Sequence, residues 1–525
     1  MEPIRSSSTI DNNNKISTNG QSYEGNNLTR RNTLALSKKQ SADYCNEFKN
    51  NAKMHNRMNL LLHLANSLSR NSSNSLFPYN QITIKIPEYI FDWEYVTNES
   101  TGISVWKKRA KIKLSQIEVD SILKLSIDEI SKSKYYYKKR LWLYHYIHNS
   151  LLEKNKDNPL LVVSRENILE ESFNQFMTTK ELNLKTSIQI HFIDEVAHDA
   201  GGVYREWYSC LFKEFFNEKN KLFILNPNEC LFKGTYLIHL KTREVNMQMY
   251  NFFGKLISKA IIDKTNINEN INTIIVKSIH KKPITLEDMK FYDIDIYSAL
   301  KAIKDVKDNN ELGEFSFVWN TRNEDDELEE VELIPNGRNI KLTIENREQF
   351  IERVIRYITY EQYKEQIENI IEGMTSLIPE NIIQLFSYNE FAFLITGQQE
   401  IDIDDWQNNT IYRGKYVDGT GHEIIKMFWE VLRELDKSDL TAFFQFCTGS
   451  GRVPIDGFGA LKGVGNRIQK FCIEDAENKG GKGLRLIEAK TCFNRIYIPE
   501  YKSKEEMKKA IYTIIGNDTN YFGLE

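Results

Sequence analysis

The sequence predicts an α+β protein of more than one domain, on three observations. The chain has 525 residues, more than one small core accommodates, so two or three domains are expected. From about residue 136, apolar residues recur mostly at helical spacing, interrupted by short alternating runs that read as strands. The glycine-bearing stretch "TIYRGKYVDGTG" (410–421) then marks a break, and the helix–strand mixture after it reads as a smaller domain.

In order along the chain, residues 1–80 come first. "SSSTIDNNNKISTNGQ" and "NSSNS" typify an Asn/Ser-rich composition. Such a segment buries too little apolar surface to offset its ordering entropy, so a disordered region is expected. One island, "MNLLLHLANSL" (58–68), suits a transient helix. Between 81 and 112, "QITIKI" alternates and "YVTNESTGISVW" reads as strand, turn and strand, with Thr101–Gly102 turning the chain. "YKKRLWLYHYIHNSLL" follows at helical spacing, with His145 and His148 as packing or surface residues. In "SRENILEESFNQFM", Ser164 is a candidate cap and Ile168, Phe173 and Phe176 face inward. "SIQIHFI" and "EFSFVW" read as strands, and the acidic run "EDDELEEVE" (324–332) as a solvated hairpin. Beyond the glycine-bearing break, "EIIKMFWEVLREL" and "SDLTAFFQF" are amphipathic helices. Ser503 and Glu506 offer a capping box for "KEEMKKAIYTII".

Composition excludes several classes. Lys and Arg number 69 against 73 Asp and Glu, a net charge of −4, so no global basic field points to nucleic acid. No apolar stretch is long enough for a membrane span, and the first residues carry no signal-like apolar run. The six cysteines, Cys45, Cys210, Cys230, Cys447, Cys472 and Cys492, form no C-x-x-C pair. That spacing speaks against a zinc site and a disulfide scaffold. Free thiols lead to the expectation of a reducing compartment, cytoplasm or nucleus.

One of those thiols stands out. In "AKTCFNRIYIPEY" (489–501), Cys492 precedes the alternating run Ile496–Tyr497–Ile498 and Pro499. A cysteine at a loop–strand junction is open on one side and held on the other. A buried structural thiol and a nucleophile both remain open at this point. A hydrolase would need an imidazole, and the histidine nearest in sequence is His422.

Several blocks in fixed order supply a resemblance. They are "ILEESFNQFM", "DAGGVYREWYSCLFKEFF" (199–216), "PITLEDM" (283–289), "PNGRNIKLTIENREQF" (335–350), "DIDDWQNNTIYRGKY" (402–416), "FWEVLRELDKSDLTAFFQFCTGSGRVPIDGFGAL" (428–461) and "TCFN". From about residue 136 to its last residue the sequence resembles the HECT family of ubiquitin ligases. The piece before it resembles the second half of a WW domain, with Tyr95, Asn98, Thr101, Gly102 and Trp106 on the pattern. It lacks an upstream tryptophan at the right spacing, Trp93 being too close, and a proline after Trp106. With the leading helix, the likeness is greatest to the subfamily bearing WW domains before the HECT domain.

The resemblance implies a bilobal fold. A mostly helical N-lobe over 136–412 would bind a conjugating enzyme. A smaller α/β C-lobe over 416–525 would carry the cysteine, with a hinge at Arg413, Gly414 and Lys415. A small WW-like β hairpin would occupy 81–112. It implies a ubiquitin ligase in which Cys492 takes ubiquitin as a thioester from the conjugating enzyme and passes it to substrate lysines, a reaction that requires no metal or organic cofactor. The binding-class alternative is a non-catalytic scaffold holding conjugating enzyme or ubiquitin. Block matching places an apolar groove for the conjugating enzyme at Ile296, Leu300, Ile303, Val306, Phe315, Phe350 and Val354. Auxiliary roles in transfer fall to Arg452, to Phe522, fourth from the end, and to Glu525. The family's histidine before the "TC" pair is Lys490 here, and its earlier proline is Ile487. Lys490 is an auxiliary residue too: it keeps a positive charge that would lower the thiol pKa, but without a large pKa shift of its own it does not replace the imidazole as a general base at neutral pH.

Overall fold

The structure, a computed structural model, describes residues 89–97, 104–152, 159–178, 184–186, 188–193, 195, 202–227, 234–240, 246–322, 328–398, 400–463, 467–476 and 485–516. The expected disordered region, the helix at 58–68, the "QITIKI" strand, the Thr101–Gly102 turn, Phe522 and Glu525 lie outside them.

The hairpin is present as β1 (Ile90–Thr97) and β2 (Ser104–Ile112), antiparallel with a break in register between Asp92 and Trp93. Its aromatic residues are used for docking. Trp106 stacks on Phe393 at 4.8 Å and tilts against Tyr136 at 5.3 Å. Trp93 is buried edge-on to Phe393 at 5.0 Å. The face a WW-like groove would offer is therefore packed against the body of the protein. Tyr136 opens α1 (Tyr136–Tyr146), the expected leading helix.

The larger core gathers α2 (Ile168–Thr178), α3 (Gly202–Phe215) and α4 (Gln248–Asp263). Ser164 bonds the Glu171 carboxylate, its N–H at 2.6 Å and hydroxyl at 3.2 Å, and Ile168 and Phe176 are buried as expected. A separate, smaller core lies inside the same lobe. It packs α5 (Ile294–Asp305) and α6 (Arg347–Thr359) around Met289, Leu312 and Phe317. The hairpin β3 (Val318–Arg322) and β4 (Leu328–Glu332) belongs to this part, and β4 is largely exposed, as its acidic sequence predicts. Next, α7 (Lys364–Thr375) crosses α4 at backbone contact. A Cβ on Gly373 would lie 1.9 Å from the Asn251 carbonyl oxygen, and one on Gly254 2.0 Å from that of Ile370. Only glycine permits that approach. The lobe closes with α8 (Tyr388–Thr396).

The smaller lobe begins earlier than the sequence suggests. In α9 (Ile403–Asn408), Trp406 is fully buried among Trp429, Phe444, Phe458 and Phe471. The next segment, β5 (Thr410–Tyr412), is the edge of a four-stranded sheet. After α10 (Glu423–Glu434) and α11 (Lys437–Thr448) come β6 (Phe471–Asp475), β7 (Glu488–Lys490), β8 (Arg495–Ile498) and α12 (Lys504–Gly516). The order is β5-β6-β8-β7. β6 is parallel to β5 and β8, and β7 antiparallel to β8. At the start of α12, Glu506 N–H donates to Ser503 Oγ at 3.3 Å, but the Glu506 carboxylate accepts from Lys502 N–H. The expected capping box is half made.

The hinge reading is corrected by these contacts. Arg413 N–H donates to Ile473 O at 2.9 Å and Lys415 N–H to Asp475 Oδ1 at 2.9 Å, both inside the smaller lobe. Gly414 has φ 64°, and a Cβ there would meet Asp475 Oδ1 at 1.7 Å. The glycine serves close packing, not flexibility. The larger core ends with α8, closed by Gly397 at φ 70°, and the smaller begins with α9, capped by Asp402. No described helix is long and apolar enough to cross a membrane.

Candidate active site

Cys492 sits in the single helical turn Thr491–Phe493 that joins β7 to β8. Asn494 closes that turn from the left-handed region, φ 47° and ψ 45°, and is fully buried. Its N–H donates to Thr491 O at 3.1 Å and its carbonyl accepts from Cys472 N–H at 2.9 Å. The side-chain amide donates to Lys462 O at 2.8 Å and Gln469 O at 2.9 Å. The thiol is thus half-exposed on a turn fixed from behind, and its neighbour Phe493 is exposed.

The other described cysteines offer less. Cys447 is wholly enclosed, and burial pushes its thiol well up. Cys472 is buried on β6 and its thiol is raised by the same cause. Burial, followed by the Glu206 charge, pushes Cys210 up to about 11. A raised thiol has little thiolate near neutral pH. Cys45 and Cys230 lie outside the described residues.

The turn is also held by the larger lobe. From α3, the Arg205 guanidinium donates to Thr491 O at 2.9 Å and to Lys462 O. Lys462 Nζ donates back to the carbonyls of Asp263 and Lys264, both at 3.2 Å. Arg140 of α1 forms two bonds to Asp456, at 2.5 and 2.9 Å, with side-chain exposures of 4% and 14%. Trp93 Nε1–H donates to Ile455 O at 3.1 Å, and Lys108 pairs with Asp402 at 3.0 Å. The two lobes are therefore docked, and the hairpin and α1 bind segments of both.

Arg452, expected near the catalytic face, spends its guanidinium on the same boundary. It donates to Asn268 O at 3.1 and 2.6 Å and to Asn270 Oδ1 at 2.8 Å. Its catalytic reading gives way to a tie between lobes. Beside it, burial pushes Glu269 up to about 7 against the pull of its own backbone amide, Arg452 and Lys213. Lys490 holds its ammonium 5.3 Å over the Tyr497 ring. His422 caps α10, its Nδ1 accepting from Ile424 N–H at 3.2 Å, and its ring lies edge-on to Tyr416. The imidazole nearest to Cys492 in sequence is thus engaged at the start of α10.

The groove residues separate into two kinds. Leu300, Phe350 and Val354 are buried in the small core, and Phe350 meets Phe317 edge-on at 5.5 Å. Ile296, Ile303 and Val306 are half-buried against it, while Phe315 is 61% exposed. The surface on offer is Phe315 and those three aliphatic residues. Phe350 and Val354 support it from beneath, which corrects their reading as groove lining.

Sequence reasoning missed Asn494, Arg205, Lys462 and the Arg140–Asp456 pair. Asn494 stood in the quoted "TCFN", where an asparagine after a short turn is a signal for the left-handed region. Arg205 stood in "VYREWY", a basic residue in an otherwise apolar helix stripe.

The site is thus a half-exposed thiol on a hydrogen-bonded turn, in a small α/β lobe docked on a helical one. Residues 209–525 match the HECT-domain (ubiquitin-transferase) family. The chain belongs to that family. It is 33% identical over 377 residues to the protein named "Probable E3 ubiquitin-protein ligase TOM1" of Eremothecium gossypii, a match covering 70% of this chain and 11% of that one. It is 31% identical over 402 residues to E3 ubiquitin-protein ligase UPL2 of Arabidopsis thaliana, covering 75% and 10%. Human E3 ubiquitin-protein ligase HECW1 is 30% identical over 373 residues, covering 70% and 22%. The chain thus spans a small part of the length of these relatives.

Proposed function

We propose that this protein is a ubiquitin ligase that carries ubiquitin on Cys492. The observation that carries the reading is the fixed, half-exposed Cys492 turn within a match to the ubiquitin-transferase family. In the first step the Cys492 thiolate attacks the thioester carbonyl of a loaded conjugating enzyme. The Cys492–ubiquitin thioester forms and the enzyme's thiolate leaves. In the second, a substrate lysine amine attacks that thioester. An isopeptide bond forms, Cys492 leaves as thiolate, and the amine proton passes to a base or to water. Thiol exchange is close to thermoneutral, so positioning matters more than base strength. Transfer from a partner bound at Phe315 would have the smaller lobe move about the connection between Gly397 and Asp402, releasing the Cys492 turn from Arg205. A reducing compartment, cytoplasm or nucleus, belongs to this reading.

The test is a ubiquitin adduct on a non-reducing gel after incubation with activating and conjugating enzymes. Cys492→Ala should abolish a reductant-sensitive adduct that Cys447→Ala and Cys472→Ala retain. An adduct that persists in the Cys492 variant overturns the assignment, and a wild-type chain that never loads favours the scaffold reading. Phe522 and Glu525 enter as a proposal from the family resemblance. With Cys492 preloaded and fresh loading quenched, Phe522→Ala should slow discharge to lysine by about a hundredfold, and wild-type discharge would remove the tail from the mechanism. Nearness to the WW-bearing subfamily rests on the leading helix and the hairpin residues. The docking of Trp106 favours a bracing role for that hairpin over peptide binding, and a proline-rich peptide that bound there would reverse the preference.

A further inference from the structure

Between the lobes lies a cavity of about 100 Å³, room for about seven or more water-sized groups. Leu141 from α1, Ile261 from α4, Leu394 from α8 and Ile455 from the smaller lobe supply apolar wall. Ile468 also lines it and is 36% exposed, so the cavity has an edge open to solvent.

Its charged lining is unbalanced. Among the described residues three basic side chains, Arg140, Lys264 and Lys462, share it with one carboxylate, Asp456, and burial, followed by the Lys264 charge, pushes Lys462 well down. Arg140 already takes both oxygens of that carboxylate. Lys462 spends two donors on backbone carbonyls, and an ammonium has three. Lys264 stands in the left-handed region at φ 57°, where it ends α4, and its Nζ lies 4.3 Å over the Tyr144 ring. Among the described residues that ammonium has no hydrogen-bond or ion-pair partner. Lys264 is part-buried, and covering an unpaired cation is costly unless something of opposite charge joins it. The strain is visible as a lysine pushed down to about 8 by burial, and further by Arg140, with Asp456 opposing.

We propose that this cavity binds a small organic monoanion, a carboxylate on a short apolar body, with the carboxylate on Lys264 and Lys462 and the body against the aliphatic wall. Because both lobes line the site, a bound ligand would favour the docked arrangement that holds the Cys492 turn on Arg205. Under the ligase reading, it would restrain the lobe movement that transfer requires.

The probes are benzoate, its neutral analogue benzamide and inorganic phosphate, titrated calorimetrically into the full chain at pH 7. Benzoate should bind once per chain, and benzamide and phosphate at least about tenfold more weakly. Lys264→Met should weaken benzoate by about tenfold or more while unfolding at an unchanged temperature. Lys437→Met, at an exposed pair with Glu400, should bind as the wild type does. Equal binding of benzamide, equal binding of phosphate, full affinity in Lys264→Met, or no saturable benzoate binding up to about 10 mM would each overturn the site. Saturating benzoate should also slow amide exchange at 491–494, and exchange left unchanged would overturn the coupling to the docked arrangement. Neither ubiquitin nor a conjugating enzyme enters these measurements, so their failure leaves the ligase reading standing.

Discussion

Asn494 works twice at one position. Its backbone takes the left-handed conformation that asparagine tolerates better than most residues, and its amide bonds two carbonyls, those of Lys462 and Gln469. Alanine would strain the turn and remove a donor from the part-buried Gln469 carbonyl, while Lys462 O keeps Arg205, at about 1–3 kcal/mol. The loss falls on the residues that carry Cys492. Asn494→Ala should therefore slow loading of Cys492 by about tenfold or more, while the larger lobe unfolds at an unchanged temperature. A rate equal to wild type in a timed loading assay would mean that the stiffness of the turn is not used.

At the scale of elements, the subdomain of α5 and α6 separates support from surface. Phe350 is 6% exposed and packed on Phe317, whereas Phe315 is 61% exposed. Removing a buried phenylalanine costs about 3–5 kcal/mol. Phe350→Ala should make the subdomain sensitive to protease, so any loss of partner binding in it is indirect. Phe315→Ala should leave stability within about 0.5 kcal/mol. It should weaken the conjugating enzyme by roughly thirtyfold, as loss of an interface aromatic does. Equal partner affinity in Phe315→Ala, measured by titration, would move the groove elsewhere.

For the whole molecule, the docking of the lobes is the property to test. Arg140 and Asp456 form an ion pair almost without solvent. Removing one member of such a pair costs about 3–5 kcal/mol, because the other is left buried and uncompensated. Asp456→Asn leaves Arg140 in that position. The variant should open between its lobes, with amide exchange at 453–463 and at the Cys492 turn about a hundredfold faster. X-ray scattering should report a larger radius of gyration. Unchanged scattering and exchange would show that other ties, such as Arg205 and Arg452, hold the lobes unaided.

Periodicity and composition were enough for the α+β class, the acidic hairpin at β3–β4, the hairpin at β1–β2 and the strand after Cys492, because those features depend on residues near one another in the chain. The placement of Cys492 just before a strand was legible in the same way, whereas its role as a nucleophile came from the family resemblance alone. The boundary at Trp406 was not, since a single buried tryptophan reads alike in either core until its partners Phe458 and Phe471 are known. Gly414 misled for a related reason: a glycine needed for contact with Asp475 has the same letter as one needed for bending. Lys264, Lys462, Arg140 and Asp456 meet only because α1, the end of α4 and the loop after α11 converge. Charge balance around a cavity is a property of that convergence, and no local pattern in the chain encodes it.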